Sequence, residues 1–562
     1  MRGRALAVAV PAAALALAIG LFLLRTRQLA GTAGFTAFPL DDSWIHLHFA
    51  RNLAEGRGFS YNPGVPVSGS TAPLWTLVLA GAFAVLGSHP ALAKALGIAA
   101  TLGCVWLAGR LAETWTGCRA SGLVVSALVA LAGPMVWGAL SGMEVALAAL
   151  LVTTALVQHA RGREWAAGVT LGLAALARPE AVLLPPLVWL AGPLSRRRAA
   201  ALGAPVAALL APWIAFNLRT TGTPWPGTAA AKIEGGLIGL LAGVHEPLGA
   251  ALVERPWQFL VEWARWLWQV DVLLPILLLP GLWWLGRHRG RAALAPACVL
   301  LLHPVAMALL APYRGPGFQE GRYAIHLLPL ALVVAAAPLT SLFTLSRVGR
   351  GQGEGGGGEG AGWKRTGWVR GQRWPRAHLG WLGAGALLAG AVTALPAAAS
   401  RYGWGIQNIE AMQVHLGHWV ASHTDPDARL ALNDIGAIAY VSRREVVDVM
   451  GLVTPAIVPF RRAGEAGVLR YLERACPDYL IVFPAWFPAL SGMSDRFQPV
   501  YRVRLDHNEV AGAREQVVYE TAWSRWRSGR QPCPGALVRL GSPPPGASAE
   551  NATDRIIDTR RP

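Results

Sequence analysis

Long apolar runs recur along this chain, and they restrict it to folds that hold many helices inside a lipid bilayer. A helix needs about 20 apolar residues to cross the hydrocarbon core. The 562 residues are 53% hydrophobic and 15% charged, a balance typical of a polytopic membrane protein. Runs of nearly full length lie at 5–24, 92–112, 120–140, 199–216, 292–311, 323–345 and 379–399. Shorter apolar runs lie at 72–87, 143–158, 165–177, 181–194 and 271–286.

Basic residues collect between the apolar runs and account for the formal net charge of +18. The longest cluster lies in the glycine-rich stretch 346–378. Because positively charged loops stay in the cytoplasm, these clusters indicate topology and not nucleic-acid binding. Contact with anionic lipids is the alternative interpretation of the same charges. Placing the clusters inside predicts about 11 transmembrane helices in the cytoplasmic membrane, with everything beyond residue 400 on the outer side.

The sequence therefore divides into a transmembrane module, 1–399, and an extracytoplasmic α/β domain, 400–540. Within the second part, 430–441 and 478–483 are strand-like apolar runs, and 467–476 has helical spacing. Segments 501–506 and 515–520 alternate like half-buried strands. Two cysteines, Cys476 and Cys533, belong to this domain, and their pairing depends on its export. We expect 346–378 to be a cytoplasmic linker and the polar, proline-rich tail 541–562 to be disordered.

This topology places five polar segments on the same outer face of the membrane. Ionisable groups at membrane depth are costly, so those that are retained usually line a cavity or pair with one another. We therefore expect these segments to converge on one pocket. They are 41–71 within the outer loop 26–71, then 141–144, 178–180, 217–234 and 313–322.

Adjacent acids, Asp41 and Asp42, open the outer loop in the run LDDSWIHLHFARNLAEGRGFSYNPGVPVSGSTAPLW, residues 40–75. The spacing of apolar residues predicts a helix that begins at the acids and ends near Gly56. One alternative is that Asp41 caps this helix and Asp42 favours its positive end. The other is that a carboxylate beside a membrane cavity takes a proton from a sugar hydroxyl.

Candidate substrate-binding residues come from the later outer segments. Glu144 either interacts with a helix N-terminus or faces Asp41 across the cavity. Arg178 and Glu180 flank a helix-breaking proline, where they either pair with each other or orient a ligand. Lys232 and Arg322 either reach lipid head groups or bind a phosphate beside the base.

Together these motifs resemble the C-type glycosyltransferase superfamily, integral membrane enzymes that use polyprenyl-phosphate sugars. The first outer loop is similar to that of the mycobacterial terminal arabinofuranosyltransferases. SGMEVAL, LARPEAVLL, GTPWPGTAAAK and GRYAIHLLPL resemble their later motifs, and NDIGAIAYVSRREVVDVMGLVTP resembles a segment of the exported domain in the broader group.

The resemblance implies a polytopic α-helical fold and a role for each matching residue. Asp41 would be the general base with Asp42 assisting, and Glu144 would help to hold substrate. Lys232, Arg322 and Arg178 would contact the donor phosphate. No cofactor follows from the resemblance, and because its subfamilies differ in metal need, dependence on a divalent cation stays open.

The expected function is transfer of a sugar, arabinofuranose by this resemblance, from a polyprenyl-monophosphate donor to a cell-envelope glycan, lipid or protein. Two other classes compete with it. A flippase or secondary transporter of lipid-linked sugar would also show many helices and buried charge, together with an internal inverted repeat that the sequence does not display. The second is a scaffold protein of the cell envelope, in which the acids would only cap helices.

Overall fold

The computed structural model describes residues 2–534 apart from 32, 233–234, 242, 245, 311–314 and 342–372. Most of the expected linker 346–378 and the whole expected tail 541–562 lie outside the described residues. The chain forms a large helical module followed by a small α/β domain. The helices of the first module are α1 Arg2–Ala30, α2 Asp41–Ala54, α3 Pro73–Leu86, α4 Ala91–Thr116, α5 Arg119–Leu131, α6 Gly133–Leu140, α7 Val145–Ala160, α8 Glu164–Ala177, α9 Leu184–Leu190, α10 Arg196–Thr221, α11 Gly227–Lys232, α12 Gly236–Leu241, α13 Arg255–Val270, α14 Leu273–Arg289, α15 Leu294–Ala297, α16 His303–Leu310, α17 Phe318–Gly321, α18 Leu328–Ser341 and α19 Arg373–Ile409.

Four described helices are long and apolar enough to cross a membrane: Ala7–Ala30, Ala91–Thr116, Arg196–Thr221 and His378–His423. Two further helix pairs pass the same test together but bend by 59° and 111° at short breaks, which raises the number to six if each pair is one span. Other predicted runs form helices of 10–17 residues, among them α3 and α7. The structure thus has four to six candidate spans by length and composition, and the count of about 11 stays a prediction.

Small and aliphatic side chains build one continuous core in the helical module. Helix α1 packs against α19 and α5, while α4 packs between α5, α7 and α18. Buried alanine, valine and leucine side chains of these helices belong to the same apolar cluster. Close approach of the helices suits such small residues, as in other membrane bundles.

One helical rod connects the two parts of the molecule. Helix α19 continues through a π-helical turn, Glu410–Val414, into α20, His415–His423. The rod crosses the expected domain boundary at residue 400 without a break. The α/β domain is therefore attached to the membrane module through continuous helix.

The α/β domain is built on a five-stranded sheet of order β2-β1-β3-β5-β4. Strands β2, β1 and β3 are parallel, and β5 and β4 are antiparallel to their neighbours. The strands are β1 Arg429–Leu432, β2 Glu445–Asp448, β3 Tyr479–Val482, β4 Phe497–Arg504 and β5 Glu515–Thr521. The remaining helices are α21 Gly436–Ser442, α22 Val458–Arg462, α23 Gly464–Ala475 and α24 Pro488–Ser491.

Most secondary structure predicted for this domain is confirmed, with one correction. Segments 478–483, 501–506 and 515–520 contain strands, and 467–475 of the expected 467–476 is helical. The segment 430–441 was wrongly expected to be a single strand, because β1 ends at Leu432 and α21 begins at Gly436. Its apolar residues are buried in both elements, so the pattern alone does not separate a strand from a short buried helix.

A disulfide joins Cys476 and Cys533. It ties the end of α23 to the segment that follows β5. The pairing that the sequence left open is therefore present in the folded domain.

Candidate active site

The loop after α2 is attached to the α/β domain by side chains that bond to the backbone of that domain. The Asn62 amide donates to the Val446 carbonyl at 2.8 Å and accepts the Val446 N–H at 2.9 Å. The buried Tyr61 hydroxyl donates to the Ile435 carbonyl at 2.5 Å. Buried backbone groups need hydrogen-bond partners, and the side chains of the loop supply partners for those of the domain.

Asp41 lies at the centre of this contact. Its Oδ2 accepts the Gly436 N–H and its Oδ1 the Ala437 N–H, both at 2.7 Å. These are the first N–H groups of α21, which have no partner within their own helix. Helix α2 has no side-chain cap at its N-cap residue, Leu40, so the alternative in which Asp41 caps α2 is wrong. Asp41 instead caps a helix of the other domain.

The environment of Asp41 favours its protonated form more than water does. Burial raises the pKa of Asp41 to about 6, against the opposing effect of the two N–H groups, and the charge of Asp42 adds to the rise. A carboxylate with a pKa near neutrality suits a general base.

Asp42 has the opposite environment. Its Oδ2 lies 2.7 Å from Arg322 Nη2 and 3.8 Å from Lys232 Nζ. Burial alone would raise its pKa, but Lys232 and Arg322 together hold the pKa well below its usual range. Asp42 is therefore ionised, and it pairs with two of the cations that were predicted to bind phosphate, Lys232 and Arg322.

A second group of predicted residues meets next to the first. Arg178 Nη1 contacts Glu144 Oε1 at 2.5 Å, and Arg178 Nη2 contacts Glu180 Oε1 at 3.0 Å. His46 Nε2 of α2 lies 3.2 Å from Glu144 Oε2. Arg178 and Glu180 thus pair with each other, as one alternative held, and Arg178 also pairs with Glu144, which is almost fully buried.

The backbone before Glu144 is held from three sides. The Tyr402 hydroxyl donates to the Leu140 carbonyl at 3.1 Å, and the buried Lys94 ammonium donates to Tyr402 at 2.6 Å. Ser43 Oγ donates to the Ser141 carbonyl at 2.7 Å, and Trp75 Nε1 to the Gly142 carbonyl at 3.0 Å. Hydrogen bonds to the backbone next to a functional residue help to fix the position of its side chain.

Two cavities meet at Asp42, Lys232 and Arg322. The larger has a volume of about 770 Å³ and lies between the helical module and the α/β domain, with Asp41 on its wall. The smaller, about 240 Å³, has a mostly apolar wall that includes Met143 and the group around Glu144. The structure brings all seven predicted site residues to these two cavities: Asp41, Asp42, Glu144, Arg178, Glu180, Lys232 and Arg322.

Asp434 is an acid on the larger cavity that the sequence prediction missed. It lies between β1 and α21, and its Oδ2 accepts the Gln413 amide N–H at 2.8 Å. Burial, followed by the charge of Asp41, raises its pKa well above the usual range. The signal in the sequence was an acid two residues after a short apolar strand, and it was missed because 430–441 was interpreted as one strand.

The two histidines of α2, His46 and His48, face different partners. His46 contacts Glu144, whereas His48 Nε2 lies 3.0 Å from the Tyr61 carbonyl. Within the described part of the chain, no group of three or more His, Cys, Asp and Glu side chains is arranged to hold a metal ion.

Comparison with solved structures shows a similar fold in two other proteins. ArnT from Cupriavidus metallidurans bound to undecaprenyl phosphate is similar with a TM-score of 0.52 and 14% identity, covering 90% of this chain and 97% of ArnT. Its apo form gives 0.52 and 13%, with 90% and 96% coverage. The archaeal oligosaccharyltransferase AglB from Archaeoglobus fulgidus, in complex with an inhibitory peptide and a dolichol-phosphate, gives 0.50 and 12%, with 87% and 72% coverage.

Sequence comparison adds one match, to a domain of unknown function (DUF8728) over residues 407–531. No curated protein matches the chain significantly. The chain therefore shares its fold with ArnT and AglB, which confirms the expected helical fold with a small C-terminal sheet. The narrower likeness to arabinofuranosyltransferases stays a prediction.

Proposed function

We propose that this protein is a membrane glycosyltransferase that moves a sugar from a polyprenyl-monophosphate donor to a cell-envelope acceptor. The observation that carries the proposal is the meeting of two cavities at Asp42, Lys232 and Arg322. The smaller, apolar cavity suits the lipid part of the donor, and the larger, polar cavity suits the acceptor. A lipid-linked donor also fits the undecaprenyl phosphate bound to ArnT and the dolichol-phosphate bound to AglB.

Asp41 is the proposed base. The acceptor hydroxyl gives its proton to the Asp41 carboxylate while its oxygen forms a bond to the anomeric carbon. The bond between that carbon and the phosphate oxygen breaks, and its electron pair leaves with the polyprenyl phosphate. Asp42 is unsuited to the same step because its two cations hold its pKa low.

Arg322 and Lys232 are the proposed groups for the departing phosphate. Both lie on the shared wall of the two cavities, where both pair with Asp42. Cations placed where negative charge develops stabilise the transition state, with effects on the order of 100-fold per group. Glu144, Arg178 and Glu180 line the smaller cavity and are the proposed donor-binding residues on that side of the phosphate.

We place this site at the outer face of the cytoplasmic membrane. The basic clusters of the sequence assign that side to the α/β domain. The Cys476–Cys533 disulfide supports the assignment, because such bonds persist in oxidising compartments. Arabinofuranose is the proposed donor sugar, on the sequence resemblance of the first outer loop alone.

The test uses the purified full-length protein in lipid nanodiscs with radiolabelled polyprenyl-monophosphate arabinofuranose and envelope glycan. We expect labelled glycan from the wild type and none above background from Asp41→Asn. The matched control is Asp495→Asn, because the Asp495 side chain is 74% exposed in the same domain as Gly436. Normal turnover by Asp41→Asn refutes the assignment of the base.

A vesicle version of the assay separates this function from lipid-linked sugar transport. Labelled donor is placed in the outer leaflet, and both glycan product and inner-leaflet donor are measured. Movement of the donor without any glycosidic product would identify a flippase and end the proposal.

A further inference from the structure

A loop of the α/β domain enters the larger cavity beside the proposed base. Asn433 and Asp434 follow β1, and both line that cavity together with Asp41. Only Ile435 separates Asp434 from Gly436, whose N–H binds the Asp41 carboxylate. The two acids are therefore fixed relative to each other by the start of α21.

The two carboxyl groups differ in the number of strong donors that each receives. Asp41 accepts two backbone N–H groups at 2.7 Å. Asp434 accepts the Gln413 amide at 2.8 Å and the Asn433 amide only at 3.3 Å. Neighbouring buried carboxyls do not ionise together, and the better-solvated one takes the charge. Of these two acids, Asp434 therefore carries the proton and Asp41 carries the negative charge.

Other charges around Asp434 agree with a neutral acid. From α2 it faces Asp41 and Asp42, and from the end of β2 it faces Asp448, all of them acids that oppose its ionisation. The cations on the wall of the same cavity are Lys232, Arg322, Arg401, Arg461 and Arg462, and the further acids there are Glu320 and Glu509. Arg401 contacts Glu320, Arg322 contacts Asp42, and Arg461 donates to the Ala231 and Met450 carbonyls.

An aromatic ring also lines the larger cavity. The Trp486 side chain lines the cavity with 44% of its surface exposed, and its Nε1–H donates to the Gly512 carbonyl at 3.1 Å. The hydrogen bond fixes the indole, which leaves a flat apolar surface beside polar groups. Ligand sites that combine such surfaces with a few convergent polar groups are typical for small polar molecules with apolar faces, such as a sugar ring.

We propose that Asp434 is a substrate-contacting residue of the transfer reaction, donating a hydrogen bond from its carboxyl O–H to an acceptor sugar oxygen next to the attacking hydroxyl. This inference rests on the proposed function and names the acceptor class, a carbohydrate. The α/β domain then selects the acceptor and holds the attacking oxygen towards Asp41. The Asp434 proton is not transferred; it stays on Asp434 through the reaction.

Two substitutions at Asp434 separate this role from others. Asp434→Asn keeps the volume and an N–H donor, whereas Asp434→Ala removes both the donor and the acceptor. We expect the asparagine variant to stay within about 3-fold of wild type near neutral pH, and the alanine variant to lose on the order of 10- to 100-fold in kcat/KM for the acceptor glycan. The KM for the lipid donor should stay the same in both variants.

The pH profile of activity separates this role from a purely structural role of Asp434, which would leave the profile unchanged. Wild-type activity should fall at alkaline pH, when Asp434 ionises and loses its donor O–H, and Asp434→Asn should lack that fall. The assay uses full-length protein in nanodiscs, with thermal unfolding of each variant and Asp495→Asn as control.

The outcomes decide between the possibilities. An asparagine variant as inactive as the alanine variant overturns the inference, since the ionised form would then be required. Equal activity of the alanine variant and wild type overturns it as well, as does an unchanged alkaline limb in Asp434→Asn. The absence of any glycan product with wild-type protein is a separate result, which refutes the proposed function instead.

Discussion

Replacement of Gly436 by alanine tests the contact between the two domains at its tightest point. An alanine Cβ there would lie 2.8 Å from both Asp41 Cγ and Asp41 Oδ1, and closer still to the Asp41 carbonyl oxygen. Real Cβ atoms keep at least 3.0 Å from such neighbours. The start of α21 and Asp41 must therefore separate.

The size of the effect follows from that separation. A displacement of the base by about 1 Å costs on the order of 100-fold in rate, which corresponds to roughly 2.7 kcal/mol of activation free energy. Overpacking of a tight site costs about 1–3 kcal/mol of folding stability. We expect Gly436→Ala to lose about 100-fold in turnover while the protein still folds at 25 °C.

The assay measures glycan product from purified protein in nanodiscs, with thermal unfolding recorded for the same samples. Gly492→Ala is the matched control, because a Cβ at Gly492 has its nearest neighbours at 3.4 and 3.7 Å. The control should keep wild-type turnover. A folded Gly436→Ala protein with turnover within about 3-fold of wild type would refute the view that α21 positions the base.

Three further outcomes follow from the site and the domain. The wild-type kcat/KM should rise with pH through about 6, because Asp41 accepts a proton only when ionised and burial raises its pKa to about 6; a profile that is flat between pH 5 and 7 would contradict this. Arg178→Met leaves Glu144 buried without its cation and should lower the free energy of unfolding by ~3–5 kcal/mol, whereas the exposed Arg502→Met should be neutral in the same thermal unfolding measurement. Cys533→Ser should lower the stability of the α/β domain by ~2–4 kcal/mol in denaturant titration, and reductant should destabilise wild type but not this variant.

Much of the candidate site was predictable because charge is rare in this sequence. Topology derived from the basic clusters put Asp41, Glu144, Arg178, Lys232 and Arg322 on one face, and the structure brings them to two adjoining cavities. The cost of burying a charge explains why these residues meet there, since charged groups at membrane depth usually line a cavity or pair with one another.

The partners of these residues were not predictable in the same way. Asp41 bonds to residues 395 and 396 positions later, and no local pattern in the sequence records such a pairing. Asp434 escaped notice because a buried strand and a short buried helix look alike in hydrophobicity. The number of crossings also depends on kinks, such as the 111° bend before α14, which apolar length alone does not reveal.

Because the rod from α19 to α20 is unbroken, the number of residues in it determines where the α/β domain lies and how it is rotated. Each residue in a helix adds about 1.5 Å of rise and about 100° of rotation. One residue inserted into the rod would therefore turn the whole sheet away from α2 and lift Gly436 off its partner. Point substitutions along the outer surface of this rod should be well accepted, whereas insertions and deletions should be as damaging as loss of a cavity residue.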